Sequence, residues 1–133
     1  FTPLPGARML TMHDGSRLVA VSHLDITPGA LSAIYCYWDP EYAWASPGTL
    51  AILKEAEAAR EQGLRHLYLG YYVAGNRHMR YKARYRPNEV LLSEGRWVPF
   101  VDEEGRVQRP DAEEHGFRPV LRITGESAGS PSR

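Results

Sequence analysis

The chain has 133 residues and is 43% hydrophobic, enough for one compact core and too little for two full-sized domains. Lys plus Arg and Asp plus Glu both total 16, so the overall charge is zero and by itself points to no nucleic-acid or membrane partner. Cys36 is the only cysteine, which excludes an intrachain disulfide and a cysteine-clustered metal site, and no apolar run approaches the roughly 20 residues of a membrane span. A soluble protein in a reducing, cytoplasmic setting is therefore expected.

Residues 8–12, 17–25 and 30–38 are β-favouring runs separated by the turn signals Asp14-Gly15 and Pro28-Gly29, a pattern that predicts a three-stranded antiparallel meander. Asp39-Pro40 ends the third strand. Ser46-Pro47-Gly48-Thr49 then opens a helix, with Ser46 placed to cap and Pro47 in the first turn, where its missing N–H costs nothing. Leu50, Leu53, Ala56 and Ala59 beside Ile52 mark an inward stripe, with Lys54, Glu55, Glu57 and Glu61 outside and Gly63 at the end. One principal helix is expected at about residues 47–62. Residues 66–73 read as a buried strand, completing a strand-helix-strand crossover. Residues 79–85 alternate with period two and are expected to be a strand. Runs at 88–92 and 97–101 flank a Glu94-Gly95 turn, and 117–123 reads as a last strand. Residues 124–133, rich in Gly, Ser and Pro, are expected to be a disordered tail, leaving 1–123 as one domain.

Three constellations could carry chemistry. The first is the strand-to-helix junction: a helix start presents unpaired N–H groups, and Gly48 would let a phosphate approach the backbone. The second is the run 76–86, whose Arg77, Arg80, Lys82, Arg84 and Arg86 are unaccompanied by any acid. On a strand, Arg80, Lys82, Arg84 and Arg86 would share one face, suited to an RNA backbone or an acidic substrate, with Met79, Tyr81 and Tyr85 packed on the other. The third is aromatic, with Tyr35, Tyr37, Trp38, Tyr42, Trp44, Tyr68, Tyr71 and Tyr72 around the central strands, available for stacking or core packing. The five histidines lack metal-ligand spacing, and no Walker loop or nicotinamide fingerprint occurs.

Tyr37-Trp38-Asp39-Pro40-Glu41-Tyr42, Ser46-Pro47-Gly48-Thr49, Leu67-Tyr68-Leu69-Gly70-Tyr71-Tyr72 and Met79-Arg80-Tyr81-Lys82-Ala83-Arg84-Tyr85-Arg86-Pro87, in this order across residues 17–101, resemble the C-terminal domain of the arginyl-tRNA:protein transferases and their bacterial leucyl-transferring relatives. The resemblance implies an α/β (α+β) GNAT-like acyltransferase fold, with a mixed, mostly antiparallel sheet. It implies transfer of an amino acid, arginine or leucine, from aminoacyl-tRNA to the N-terminal amine of an acceptor protein or peptide, as in the N-degron pathway of protein degradation. Ser46, Gly48 and Thr49 would bind the tRNA end, Arg80, Lys82 and Arg84 the RNA or an acidic acceptor, and Tyr72 is a further candidate for substrate binding. Asp39 would orient or deprotonate the amine, and Tyr37 or Tyr71 would donate to the oxyanion. The donor ester is already activated, so no metal and no cofactor besides the aminoacyl-tRNA co-substrate is expected. Two departures stand out. The N-terminal domain usual in the family has no counterpart here, and Asn76 occupies a position where arginyl enzymes carry Cys, a difference shared with leucyl-type relatives. The competing readings are an acyl-CoA N-acetyltransferase, which would call for a glycine-rich pyrophosphate loop, and a non-catalytic RNA- or degron-binding module.

Overall fold

The computed structural model describes residues 5–72, 76–92, 95–100 and 120–124. The chain divides into two compact units, residues 1–67 and 68–133.

In the first unit, β1 (Ala7–Asp14), β2 (Arg17–Thr27) and β3 (Ala30–Trp38) form the expected antiparallel meander. Gly15 and Gly29 supply the left-handed backbone that the two turns require. The pairing of β2 with β3 shifts between His23 and Leu24: His23 faces Tyr35 while Leu24 faces Ala33, so Ile34 is an extra residue in β3. The shift switches the parity of β3. Leu31 and Ala33 lie on the same face as Cys36 and Trp38, while Tyr35 and Tyr37 point to the other.

A short 3-10 helix, Pro40–Ala45, follows β3 and leads into α1 (Pro47–Glu61), which packs on β3 and β2. The inward stripe of α1 is Pro47, Ala51, Ile52, Glu55 and Ala59. This corrects the stripe expected from the sequence, because Leu50 and Leu53 are exposed and Glu55 is inside. A helical face repeats at three and four residues, and 48, 52, 55 and 59 fall on one line that the every-third-residue pattern misses. The helix ends in a Schellman arrangement: Gly63 adopts φ +68°, its N–H donates to the Arg60 carbonyl, and the Leu64 N–H donates to the Ala59 carbonyl.

β4 (His66–Tyr71) continues into the second unit, as expected for residues 66–71; residue 73 lies outside the described residues. The largest departure comes next. Residues 77–84 form α2 (Arg77–Arg80) and a 3-10 turn (Tyr81–Arg84), and not the basic strand expected from their alternation. Asn76 starts this helix, its side chain accepting the His78 N–H at 2.9 Å. Every residue type from 77 to 84 tolerates helix, and a local cap outweighs a period-two pattern that no sheet partner enforces. The buried Asn88 braces the return of the chain, donating from Nδ2 to the Ala83 and Tyr85 carbonyls at 3.2 and 2.9 Å. β5 (Asn88–Leu91) then pairs antiparallel with β6 (Trp97–Pro99) on one side and β7 (Val120–Thr124) on the other. Leu69, Tyr72, Val90, Leu92, Val98 and Phe100 are buried in this unit. The expected tail falls outside the described residues, apart from Thr124, which belongs to β7.

At Gly63 nothing stands within 4 Å of where a Cβ would be, so the left-handed backbone alone opposes a side chain there. Gly63→Ala should destabilise the protein by about 1 kcal/mol, measured by chemical denaturation, with no change in the spectroscopic signature of the folded state.

Candidate active site

Tyr37, Asp39, Ser46, Gly48 and Thr49 follow one another through β3, the 3-10 helix and the start of α1, so the first unit holds five of the expected site residues on consecutive elements. Asp39 is anchored at its backbone by a hydrogen bond from its N–H to the Val19 carbonyl at 2.8 Å. Its carboxylate caps the 3-10 helix, accepting the Glu41 N–H at 3.0 Å, and takes a hydrogen bond from the Arg17 guanidinium at 2.5 Å. The same guanidinium donates to Glu41 at 2.6 Å and lies over the Tyr42 ring, 5.3 Å from its centroid, while the Tyr42 hydroxyl donates to Asp14 at 2.8 Å. Arg17, Tyr42 and Asp14 were not singled out by sequence reasoning as members of this group. Their proximity depends on the β1–β2 turn reaching the 3-10 helix, which no local motif announces.

This setting decides what Asp39 can do. The backbone N–H of Glu41, and after it Arg17, hold its carboxyl below the usual carboxylate range. A carboxylate so stabilised is a poor proton acceptor near neutrality, so its surroundings favour orienting an amine over deprotonating one.

The start of α1 differs from the expected cap. Ser46 adopts a left-handed conformation, φ 51° and ψ 58°, and makes no side-chain capping bond. Its carbonyl accepts the Thr49 and Leu50 N–H groups at 3.0 and 3.2 Å, while its own N–H closes the preceding 3-10 helix on Ala43. Pro47 has no N–H. Among the described residues, the Gly48 N–H is the one donor of this first turn left without a partner. A Cβ on Gly48 would stand 3.2 Å from the Trp38 ring, so the glycine makes room for that indole. Tyr37 is exposed, on the opposite face of β3, beside Tyr35 and His23, with ring centroids 6.1 and 5.7 Å away.

In the second unit Tyr71 is exposed and Tyr72 is buried, its ring set edge-on against Phe100 at 4.8 Å. Lys82 does not stand in a charged stripe. Its ammonium donates to the Tyr71 carbonyl at 2.7 Å, close to Gly70, whose φ of +76° leaves space on that side. Burial lowers the Lys82 ammonium below the usual lysine range. Arg84 is exposed, and the side chain of Arg80 lies outside the described residues. Residues 77–84 wind as helix and 3-10 turn, so the period-two alternation that would set the basic residues on one strand face does not apply. Tyr81, expected in the core, is 37% exposed and meets Tyr85 edge-on at 6.4 Å.

Two measurements check this geometry. Arg17→Gln should move the Asp39 carboxyl back toward the ordinary range in an NMR titration, though not the whole way, because the Glu41 N–H remains. The stability that the ionised Asp39 provides, present above its unfolded-state value and lost as pH falls through its depressed value, should then be lost at a higher pH. Lys82→Met should lower stability by about 1 kcal/mol through the carbonyl left unpaired, whereas Arg84→Ala should change it by less than about 0.5 kcal/mol.

Comparison with known proteins places this geometry. The family described as arginine-tRNA-protein transferase, C terminus, matches residues 2–92. An aspartate/glutamate leucyltransferase of Stenotrophomonas maltophilia is 47% identical over 97 residues, covering 71% of this chain and 38% of the relative. Arginyl-tRNA--protein transferase 1 of Arabidopsis thaliana is 44% identical over 90 residues, covering 63% of this chain and 14% of the relative. The chain thus spans well under half the length of these relatives. Among solved structures, the ribosomal-protein-S18-alanine N-acetyltransferase of Escherichia coli superposes with a TM-score of 0.59 at 11% identity, over 98% of this chain and 77% of that one. An acetyltransferase of Bacillus subtilis in complex with CoA gives 0.57 at 15% identity, over 92% and 79%. The fold is therefore α/β and GNAT-like, as the motif order implied, and the chain belongs to the family of arginine-tRNA-protein transferase C-terminal regions.

Proposed function

We propose that this protein transfers an amino acid, leucine or arginine, from aminoacyl-tRNA to the N-terminal amine of a protein or peptide, with Asp or Glu as the accepting residue. The observation that carries this reading is the family match across residues 2–92, which contains Asp39, the start of α1 and Lys82. Relatives named for aspartate and glutamate as acceptors and for leucine or arginine as the transferred group supply the substrate classes. The natural setting is the cytoplasm and the N-degron pathway.

In this reaction the acceptor nitrogen forms a bond to the ester carbonyl carbon, the bond from that carbon to the ribose oxygen breaks, and the amine proton leaves with the freed tRNA hydroxyl. An N-terminal amine, with a pKa near ~8, is partly neutral at cellular pH, so positioning carries much of the task. The Asp39 carboxylate orients the neutral amine by accepting a hydrogen bond from one of its N–H groups, for which its ionised, fixed state suits it. Tyr37 or Tyr71, each of them exposed, is the hydroxyl donor for the developing oxyanion. Ser46, Gly48 and Thr49 receive the tRNA end, with the Gly48 N–H as a single donor to one oxygen. Arg80 and Arg84 serve the RNA backbone, while Lys82 acts by holding the Tyr71 backbone, and Tyr72 acts by its packing on Phe100. The N-terminal domain that the family resemblance implies is a further partner.

The acyl-CoA alternative is disfavoured by the same helix start. A pyrophosphate asks for several converging N–H groups, and here Pro47 lacks one while those of Thr49 and Leu50 are already bonded to Ser46.

The test offers leucyl-tRNA, arginyl-tRNA and acetyl-CoA in parallel, with peptides beginning in Asp, Glu, Arg or Lys. Transfer of label from an aminoacyl-tRNA to the Asp and Glu peptides is expected; acetylation alone, or RNA binding without transfer, would refute the reading. Asp39→Ala should lower kcat/KM for the peptide about tenfold or more while leaving tRNA affinity in place. Arg84→Ala should instead weaken tRNA binding and reduce its salt dependence by about one counterion.

A further inference from the structure

Glu55 stands in the middle of the inward stripe of α1 and is 1% exposed. Among the described residues no cation pairs with it. Its Oε1 is 2.5 Å from the Ser22 hydroxyl, and its Oε2 has no hydrogen-bond partner. The Ser22 oxygen, itself buried, also lies 3.5 Å from the Tyr35 carbonyl, at the point where Ile34 bulges out of β3. A serine hydroxyl has one proton for these two acceptors.

The two ways of placing protons here are not equivalent. If Glu55 is ionised, Ser22 donates to it, the Tyr35 carbonyl receives nothing from Ser22, and half of a buried negative charge rests on an oxygen without a partner. If Glu55 is a neutral acid, its O–H donates to Ser22 and the Ser22 proton passes on to the Tyr35 carbonyl. Only a neutral carbonyl oxygen then remains unpaired. The groups around the carboxyl favour the second arrangement. Cys36, opposite Ser22 in register, is a thiol, and the nearest charged residues of α1, Lys54 and Glu57, pair with each other on its outer side at 2.7 Å. Burial raises the Glu55 carboxyl, against a weaker opposing effect of Ser22. Burial also raises the Cys36 thiol.

We propose that Glu55 is a positioning residue: as a neutral acid it donates through Ser22 to the Tyr35 carbonyl, fixing the bulge of β3 and with it the direction of the Tyr37–Asp39 segment. The proposal rests on the reading above in assigning Tyr37 and Asp39 to the transfer site, but the proton chain has its own readouts. Infrared difference spectra of the full chain at pH 7 should contain a protonated-carboxyl stretching band that disappears in Glu55→Gln. That variant retains a donor toward Ser22 and should keep kcat within about threefold of the parent. Ser22→Ala and Glu55→Leu, which break the chain, should lower kcat about tenfold with KM for the tRNA unchanged. In both, iodoacetamide should modify Cys36 faster, because the layer between α1 and the meander has loosened. Absence of the band, or parental kcat and Cys36 modification rates in both broken variants, would overturn the proposal. If Glu55→Leu does not fold, as judged by circular dichroism, Ser22→Ala carries the comparison. An unmodified chain that transfers nothing defeats the proposed function instead, while the band and the Cys36 rates still decide the proton chain.

Discussion

Helix α1 can lie close on the β2–β3 pair because small residues are interspersed along its inward side. Ala51 and Ala59 are small and fully packed, and Gly48 leaves the width of a side chain for the Trp38 ring. A larger residue at any of these positions would lift the helix from the sheet and move its first turn away from the end of β3. The arrangement of Asp39, Ser46 and Gly48 follows from this close approach. The helix start is held beside the end of β3 by packing, and the backbone between them is wound into a 3-10 helix whose cap is Asp39 itself. One carboxylate therefore serves both the local fold and the candidate site, which is why its protonation behaviour is that of a cap.

Much of the first unit was legible in the sequence because its signals are local. Asp14-Gly15 and Pro28-Gly29 encode turns, Pro47 and Gly63 bracket a helix, and the strands found at Ala7–Asp14, Arg17–Thr27 and Ala30–Trp38 contain the runs that alternation and β-branching suggested. What failed depended on relations that no single segment carries. Glu55 reads as a surface residue until Ser22, distant in sequence, is placed opposite it. Strict alternation in β3 would set Leu31, Ala33, Tyr35 and Tyr37 on one side, and the extra Ile34 divides them, with Leu31 and Ala33 on one face and the exposed rings of Tyr35 and Tyr37 on the other. The run 79–85 shows the reverse error, where a regular pattern in the sequence has no sheet neighbour to give it meaning and a single capping amide at Asn76 decides the outcome.

The candidate site was legible to a different degree. The motifs located Asp39, the helix start and Tyr71, but the roles assigned from residue type alone changed with their surroundings. Ser46 contributes a carbonyl and a left-handed backbone in place of a side-chain cap. Lys82, a formal charge in the sequence, spends its ammonium on the backbone of its neighbour. Such reassignments are expected wherever a polar group is partly withdrawn from water, because it must then satisfy the nearest protein acceptor or donor first.

The tip of the β1–β2 hairpin illustrates a practical consequence. Exposed two-residue turns are ordinarily the safest places to open a chain, insert a tag or circularly permute a protein. Here the residues on either side of Gly15 and Ser16 are committed elsewhere: Asp14 receives the Tyr42 hydroxyl and Arg17 grips Asp39 and Glu41. New termini or a grafted epitope at this turn would therefore tug on the Asp-Pro corner, and a reporter placed there would register the state of a segment far away along the chain.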